Sequence, residues 1–261
     1  MPNKAFDTWR QARQRELAAP DSWLGLVGLF WLDTGLNSVG SEPGSSVLLP
    51  SGAAHLGDLE WSSAAILWRP RDGVAVILET DHDGQPTVID HGNLSFFVVE
   101  RDGRLAVRLR DRHWADGKTF AGVPCFEFDP AWQIEAQWLP LSPPLLMEVP
   151  NVSGELKRVE VAWRAVFSLQ GQEFSLLPMS VGPEGVFFVF RDRTSGKETY
   201  GAGRFLKTAP VREGRIALDF NRAFNPPCAF TPFATCPLPP PENWLPVAIP
   251  VGEMKPSASG H

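Results

Sequence analysis

The chain has 261 residues and a formal net charge of −6, a balance that argues against a nucleic-acid partner, which needs a basic footprint. With 43% hydrophobic residues it can bury a full core without disulfide or metal staples. Ten tryptophans beside a single tyrosine point to a thick β core, or less often to an aromatic-lined cavity. The first ten residues are charged and lack the apolar stretch of a signal peptide. The longest apolar run, 24–32, has nine residues including two glycines and is too short to span a bilayer. Three cysteines (Cys125, Cys228 and Cys236) fit a reducing compartment, so a cytoplasmic location is expected, with a Cys228–Cys236 pair left open.

In chain order, 6–19 reads as a helix: Phe6, Trp9, Ala12 or Arg13, and Leu17 recur at helical spacing and Pro20 stops it. The period then changes to two. Leu105, Val107 and Leu109 alternate with Arg104, Arg108 and Arg110; Trp132, Ile134, Ala136 and Trp138 alternate with Gln133, Glu135 and Gln137. Val159, Val161, Trp163, Ala165 and Phe167 alternate with charged neighbours in the same way. Further strands are expected near 46–50, 64–69, 74–80, 86–90, 94–100, 123–128, 145–150, 172–178, 185–191, 199–207 and 214–220. Turn signals separate them, at Asp33-Thr-Gly, Arg71-Asp-Gly, Asp83-Gly, Arg101-Asp-Gly, Gln170-Gly and Ser195-Gly. Short strands without alternating helices mean antiparallel β structure. The fold expected is a barrel-like or two-sheet sandwich domain over 1–254, with one N-terminal helix, a proline-rich C-terminal wrap and a loose tail from Lys255.

No nucleophile elbow, metalloprotease motif, C-x-x-C pair or dinucleotide fingerprint is present. Gly117-Lys118-Thr119 imitates the end of a phosphate-binding loop, but Arg112 stands where the first glycine is required. The histidines are far apart and read as solvated turn residues, so no metal site is expected and no cofactor is legible. The concentrated signal lies near the C-terminus. Asp219, Asn221, Arg222 and Asn225 sit directly before Cys228 and Cys236, among stiff prolines.

That stretch, 219–243, is joined by Asp192-Arg-Thr-Ser-Gly-Lys-Glu-Thr-Tyr-Gly-Ala-Gly-Arg-Phe-Leu206, Pro20-Asp-Ser-Trp-Leu, Gly28-Leu-Phe-Trp-Leu, Arg110-Asp-Arg and Phe120-Ala-Gly. Together they resemble the prokaryotic domain-of-unknown-function family numbered 1684, over about residues 9–253. The resemblance implies a compact β-rich domain of bacteria and archaea and supplies no catalytic residues. Some relatives look exported; without a leader here, the cytoplasmic expectation stands.

The residues themselves suggest where a ligand would sit. A hairpin is expected from Val186–Phe190 and Thr199–Leu206, with Gly201 and Gly203 on one strand face marking either a bend or a ligand's approach. Tyr200 is the lone tyrosine among seventeen phenylalanines, so its hydroxyl is expected to make a specific hydrogen bond. Arg204, Asp219 and Arg222 could pair, either as a structural corner or to grip a carboxylate or phosphate. Tyr200, Arg204, Asp219, Asn221 and Arg222 are therefore the expected ligand-binding residues. The function expected is binding of a small polar or anionic molecule, with no nucleic-acid or membrane partner. The alternatives are a structural or interaction module in which these groups only lock the wrap, and a hydrolase-type enzyme using Asp219, Arg204 and Tyr200.

Overall fold

The structure is a computed structural model that describes residues 3–256, apart from 83, 102, 115, 117–119, 153 and 155. Gly117-Lys118-Thr119, the turn residues Asp83 and Asp102, and 257–261 of the expected tail therefore lie outside the described residues. The chain is mainly β, with 46% of residues in strands and 12% helical. The expected 1–254 domain contains two compact units: unit 1, Met1–Ala18 with Ala121–His261, and unit 2, Ala19–Phe120.

Unit 1 opens with α1 (Lys4–Ala18). The helix begins two residues before the expected start because Asn3 caps it, its Oδ1 accepting from the amides of Ala5 and Phe6 at 3.1 Å each. Phe6 and Leu17 are buried, and Phe6 packs on Trp9 and Phe128.

Among its described residues, unit 2 holds nine strands: β1 (Leu26–Trp31), β2 (Gly35–Gly40), β3 (Val47–Leu48), β4 (Gly57–Trp61), β5 (Ile66–Pro70), β6 (Val76–Leu78), β7 (Ile89–His91), β8 (Leu94–Arg101) and β9 (Arg104–Asp111). They form two sheets, ordered β1-β9-β8-β7 and β3-β2-β4-β5-β6. Every pair is antiparallel except the short parallel β2–β3. One core joins them, with Val39, Leu59 and Trp68 from the second sheet meeting Phe96, Val98 and Val107 from the first. The strands β1, β2 and β4 were not legible in the sequence. β1 runs Leu-Val-Gly-Leu-Phe-Trp without alternation, and β2 is interrupted by glycine, serine and asparagine. The β9 face carrying Arg108 and Arg110 is covered by rings: Arg108 is buried over Trp23, and Arg110 lies over Phe97.

In unit 1 the remaining strands are β10 (Gln133–Pro150), β11 (Leu156–Leu169), β12 (Gln172–Leu176), β13 (Ser180–Gly182), β14 (Gly185–Phe190), β15 (Arg204–Thr208) and β16 (Arg215–Asp219). One sheet runs β12-β11-β10-β16 and the other β13-β14-β15, all antiparallel. The strands expected near 132–138 and 145–150 are one long β10, whose pairing with β11 shifts register between Pro140 and Leu145. The strand expected near 123–128 reduces to a single bridge, Cys125 with Glu253.

Alternation puts Ala136 and Trp138 of β10, Ala165 and Phe167 of β11, and Phe188 and Phe190 of β14 into one core. That core is completed by Phe220, Ala223, Leu245, Ile249 and Val251 from the proline-rich C-terminal segment. The arrangement is sandwich-like, with no closed barrel among the described residues. The wrap expected after β16 is thus a structural layer.

Candidate functional site

The hairpin of β14 and β15 exists, with Phe190 opposite Arg204 and Phe188 opposite Leu206. Its connection is longer than expected, however, because Thr199–Gly203 belongs to the turn region and not to the strand. The reason is an internal polar network. Asp192 Oδ1 accepts from the Thr194 amide at 2.8 Å and from the Thr194 hydroxyl at 2.6 Å, and that hydroxyl lies 2.8 Å from the Thr199 hydroxyl. All three residues are buried. Their bonds are better satisfied in this compact loop than in a ladder. Gly203 closes the turn at φ +101°, and a Cβ there would lie 2.5 Å from the Phe190 carbonyl oxygen. Backbone, not a ligand, therefore approaches this glycine.

Arg204 is fully buried, at 0% exposure. Its partner is Asp192, 2.9 Å away, and not Asp219. The same guanidinium donates to the carbonyl of Ile249 at 2.9 Å and to that of Val251, while its plane lies over Phe190. Burial lowers its pKa from the ordinary arginine value and Asp192 opposes that shift. The planar fork thus ties the β15 strand to the C-terminal segment. Asn243, also at 0% exposure, ties the same segment to Leu177 and to β14. Its Oδ1 accepts from the Leu177 amide at 2.8 Å, and its Nδ2 donates to the carbonyls of Leu177 and Val189 at 2.9 and 2.8 Å. Neither Asp192 nor Asn243 was singled out from the sequence, although the i, i+2 spacing of Asp192 and Thr194 is the pattern of a side chain capping its own turn.

Asp219 and Asn221 are together, as expected, but not with Arg204. Asp219 Oδ1 caps the turn Phe220–Arg222 by accepting from the Asn221 amide at 3.2 Å, and its Oδ2 accepts from Gln133 at 3.1 Å. Asn221 reaches across to Asp129, accepting from its amide at 2.9 Å and donating to its carbonyl at 3.0 Å. Asn221 also donates locally to Asp219 at 3.1 Å, and Asn225 Nδ2 donates across the chain to the Met254 carbonyl at 2.7 Å. The Asn225 amide donates at 2.7 Å to Glu253, which also pairs with Arg13 at 3.1 Å. Burial raises the Glu253 pKa above the ordinary carboxylate value, against the pull of Arg13.

Tyr200 makes the specific bond expected of it, donating to the Cys228 carbonyl at 3.0 Å. The Asp219, Arg204 and Tyr200 cluster required by the hydrolase reading is thus dispersed, each residue holding a different partner.

The remaining member of the expected set, Arg222, faces a different place. A cleft of about 320 Å³ is lined by Trp9, Arg13 and Glu16 of α1, Lys207 of β15, and Arg222 and Phe224 beyond β16. Its walls follow from local structure. Phe224 exchanges two backbone hydrogen bonds with Phe205, so a fragment of extended chain lies against β15. Lys207 is two residues on from Phe205 and therefore projects on the same face. Arg13 caps the Phe224 ring at 4.9 Å and is held by Glu253, Glu16 and the Asn225 carbonyl. The Arg222 Nε is 3.4 Å from Asp219, and its side chain is 40% exposed. Lys207 is exposed and has no ion-pair partner among the described residues. An aromatic wall and two available cations thus adjoin in an otherwise acidic chain. Arg13 and Lys207 were missed in the sequence because they lie about two hundred residues apart.

No helix among the described residues is long and apolar enough to cross a membrane. No curated protein matches the chain. Among solved structures, an uncharacterized protein of Haloarcula marismortui, determined by solution NMR, is 31% identical. The match covers 54% of this chain and 80% of that one, with a TM-score of 0.44. A family model for a protein of unknown function matches residues 118–254, just over half of the chain and all but its first residues within unit 1. The segments that resembled this family between 192 and 243 lie inside the match, whereas those at 20–32 and 110–112 lie outside it, and on this match the chain belongs to the family DUF1684.

Proposed function

We propose that unit 1 binds a small anionic molecule with a flat or apolar body in the cleft between α1 and β15. The observation that carries this reading is the placing of Lys207 and Arg222 beside Trp9 and Phe224 in a concavity of about 320 Å³. That volume is at the lower end of small-ligand pockets, about 300–1,000 Å³. A guanidinium and an ammonium supply charge-assisted donors to a carboxylate or phosphate, and the rings supply apolar contact. Within this reading Arg222 keeps the ligand role expected from the sequence and Asp219 orients it. Tyr200, Arg204 and Asn221 act by holding the frame.

The test is a thermal-shift panel of inorganic phosphate, benzoate and a nucleoside monophosphate, followed by calorimetry on any compound that raises the melt. A ligand at one hundred times its Kd adds about 2.7 kcal/mol, an easily read shift. Lys207→Ala and Arg222→Ala are expected to weaken binding about tenfold each, the loss of one charge-assisted bond of about 1.5 kcal/mol. If no compound at millimolar concentration moves the melt, the reading is wrong. The alternative, a non-catalytic module, rests on the inward bonding of Arg204 and Asn221; it predicts that blank panel.

A further inference from the structure

Cys228 and Cys236 flank a loop in the C-terminal segment, and the Cys228 amide donates to the Cys236 sulfur at 3.3 Å. The Tyr200 hydroxyl sits 3.0 Å from the Cys228 carbonyl oxygen. Cys228 is part-exposed, whereas Cys236 is buried beside Val189 and Phe205. Two thiols and a phenol therefore converge at one place, with one cysteine part-exposed and the other buried.

From this juxtaposition we propose that Cys228 is a peroxide-reactive thiol and Cys236 its resolving partner, so that oxidation joins them in a disulfide. The Cys228 thiolate attacks one peroxide oxygen and the O–O bond breaks. With the proton lost from the thiol, the departing hydroxide forms water, and sulfur is oxidised to a sulfenic acid. The Cys236 sulfur then attacks the Cys228 sulfur, the S–O bond breaks, and hydroxide takes the Cys236 proton to leave as a second water. Two thiols and one hydrogen peroxide become one disulfide and two waters.

Hydrogen bonds support the division of labour. The Cys236 thiol and the Tyr200 hydroxyl both favour the Cys228 thiolate and lower its pKa, although burial pulls the other way. Tyr200 has a single proton, so its bond to the sulfur competes with its bond to the Cys228 carbonyl. Its own pKa rises well above the ordinary phenol value, through burial first and the neighbouring Cys228 second, so it remains a donor. Cys125 is the internal contrast: burial, then Glu253, pushes its thiol up to about 11.

The experiment uses the full-length reduced protein treated with hydrogen peroxide, followed by alkylation of free thiols, intact mass and peptide mapping. The expected product has lost the mass of two hydrogen atoms, links the peptides of Cys228 and Cys236, and leaves Cys125 alkylatable. In Cys236→Ser, dimedone should trap a sulfenic acid on Cys228. If that variant does not fold, dimedone is added during oxidation of the wild-type chain, and an adduct on Cys236 in place of Cys228 overturns the assignment. Before oxidation, Cys228 should alkylate at least about tenfold faster than Cys125 at pH 8, and Tyr200→Phe should reduce that ratio. Cys228 and Cys236 both remaining alkylatable, at a peroxide dose that oxidises free glutathione, would sink the proposal.

Discussion

Arg204 shows how much one side chain contributes when it is buried and holds three partners. Its guanidinium meets Asp192 at 2.9 Å, and also holds the carbonyls of Ile249 and Val251. Arg204→Ala would strand the Asp192 carboxylate in a buried setting, and breaking such a pair costs about 3–5 kcal/mol. Arg204→Lys keeps the charge but loses the planar fork, so one or two of the three partners go unmet, an expected loss of roughly 1–3 kcal/mol. Urea midpoints measure both. A lysine variant with the wild-type midpoint would show that charge alone holds the C-terminal segment. Reading Arg204 as a ligand grip implies an unchanged melt for that variant; its complete burial reverses the expectation.

At the scale of an element, the segment after β16 is a layer of the fold. Leu245, Ile249 and Val251 are buried in the main core of unit 1. Each contributes about 1.5–3 kcal/mol by leaving water, a sum comparable with the 5–15 kcal/mol that stabilises a whole domain. Asn243 adds three bonds to the backbone of Leu177 and Val189, which fix where the segment lies. A chain ending at Pro240 is therefore expected to lose its cooperative melt and its solubility. A truncated protein that stays monomeric and melts cooperatively would show the segment to be dispensable. The prolines suit this role: a segment crossing the core outside a ladder needs few amide donors, and proline has none to leave unpaired.

For the whole molecule, the chain order of the two units matters. α1 precedes unit 2 in sequence, and the rest of unit 1 follows it. The chain leaves and re-enters unit 1 at nearby points: a Cβ on Gly122 would lie 2.9 Å from the side-chain nitrogen of Gln14, one helical turn before α1 ends. Insertions are tolerated where exit and entry are close. Joining Ala18 to Ala121 through a short Gly/Ser linker is thus expected to give a folded, β-rich monomer with a single melt. The cleft lies wholly in unit 1, so its anion binding should survive the excision. An insoluble product, or one without a cooperative transition, would show that unit 1 depends on unit 2.

Local patterns were sufficient for some of this. Period-two alternation marked β9, the first part of β10 and β11 as strands, although β9 turns out to be buried on both of its faces. Proline and spacing marked the N-terminal helix, and the C-terminal stretch read as a proline-rich wrap. Beyond that, the residues named their chemistry but not their partners. Arg204 could equally have met Asp219, and the density of Asp, Asn and Arg before Cys228 looked like a binding site when most of those groups serve as internal ties. Pairing depends on strand register and on which distant segments the topology brings together. Only the tertiary structure set Arg204 against Asp192, joined α1 to β15 around a cleft, and laid the Cys228 amide beside the Cys236 sulfur. Hydrophobic periodicity is a property of neighbours in the chain, whereas an ion pair or a cleft belongs to residues that chain entropy keeps apart until the core has formed.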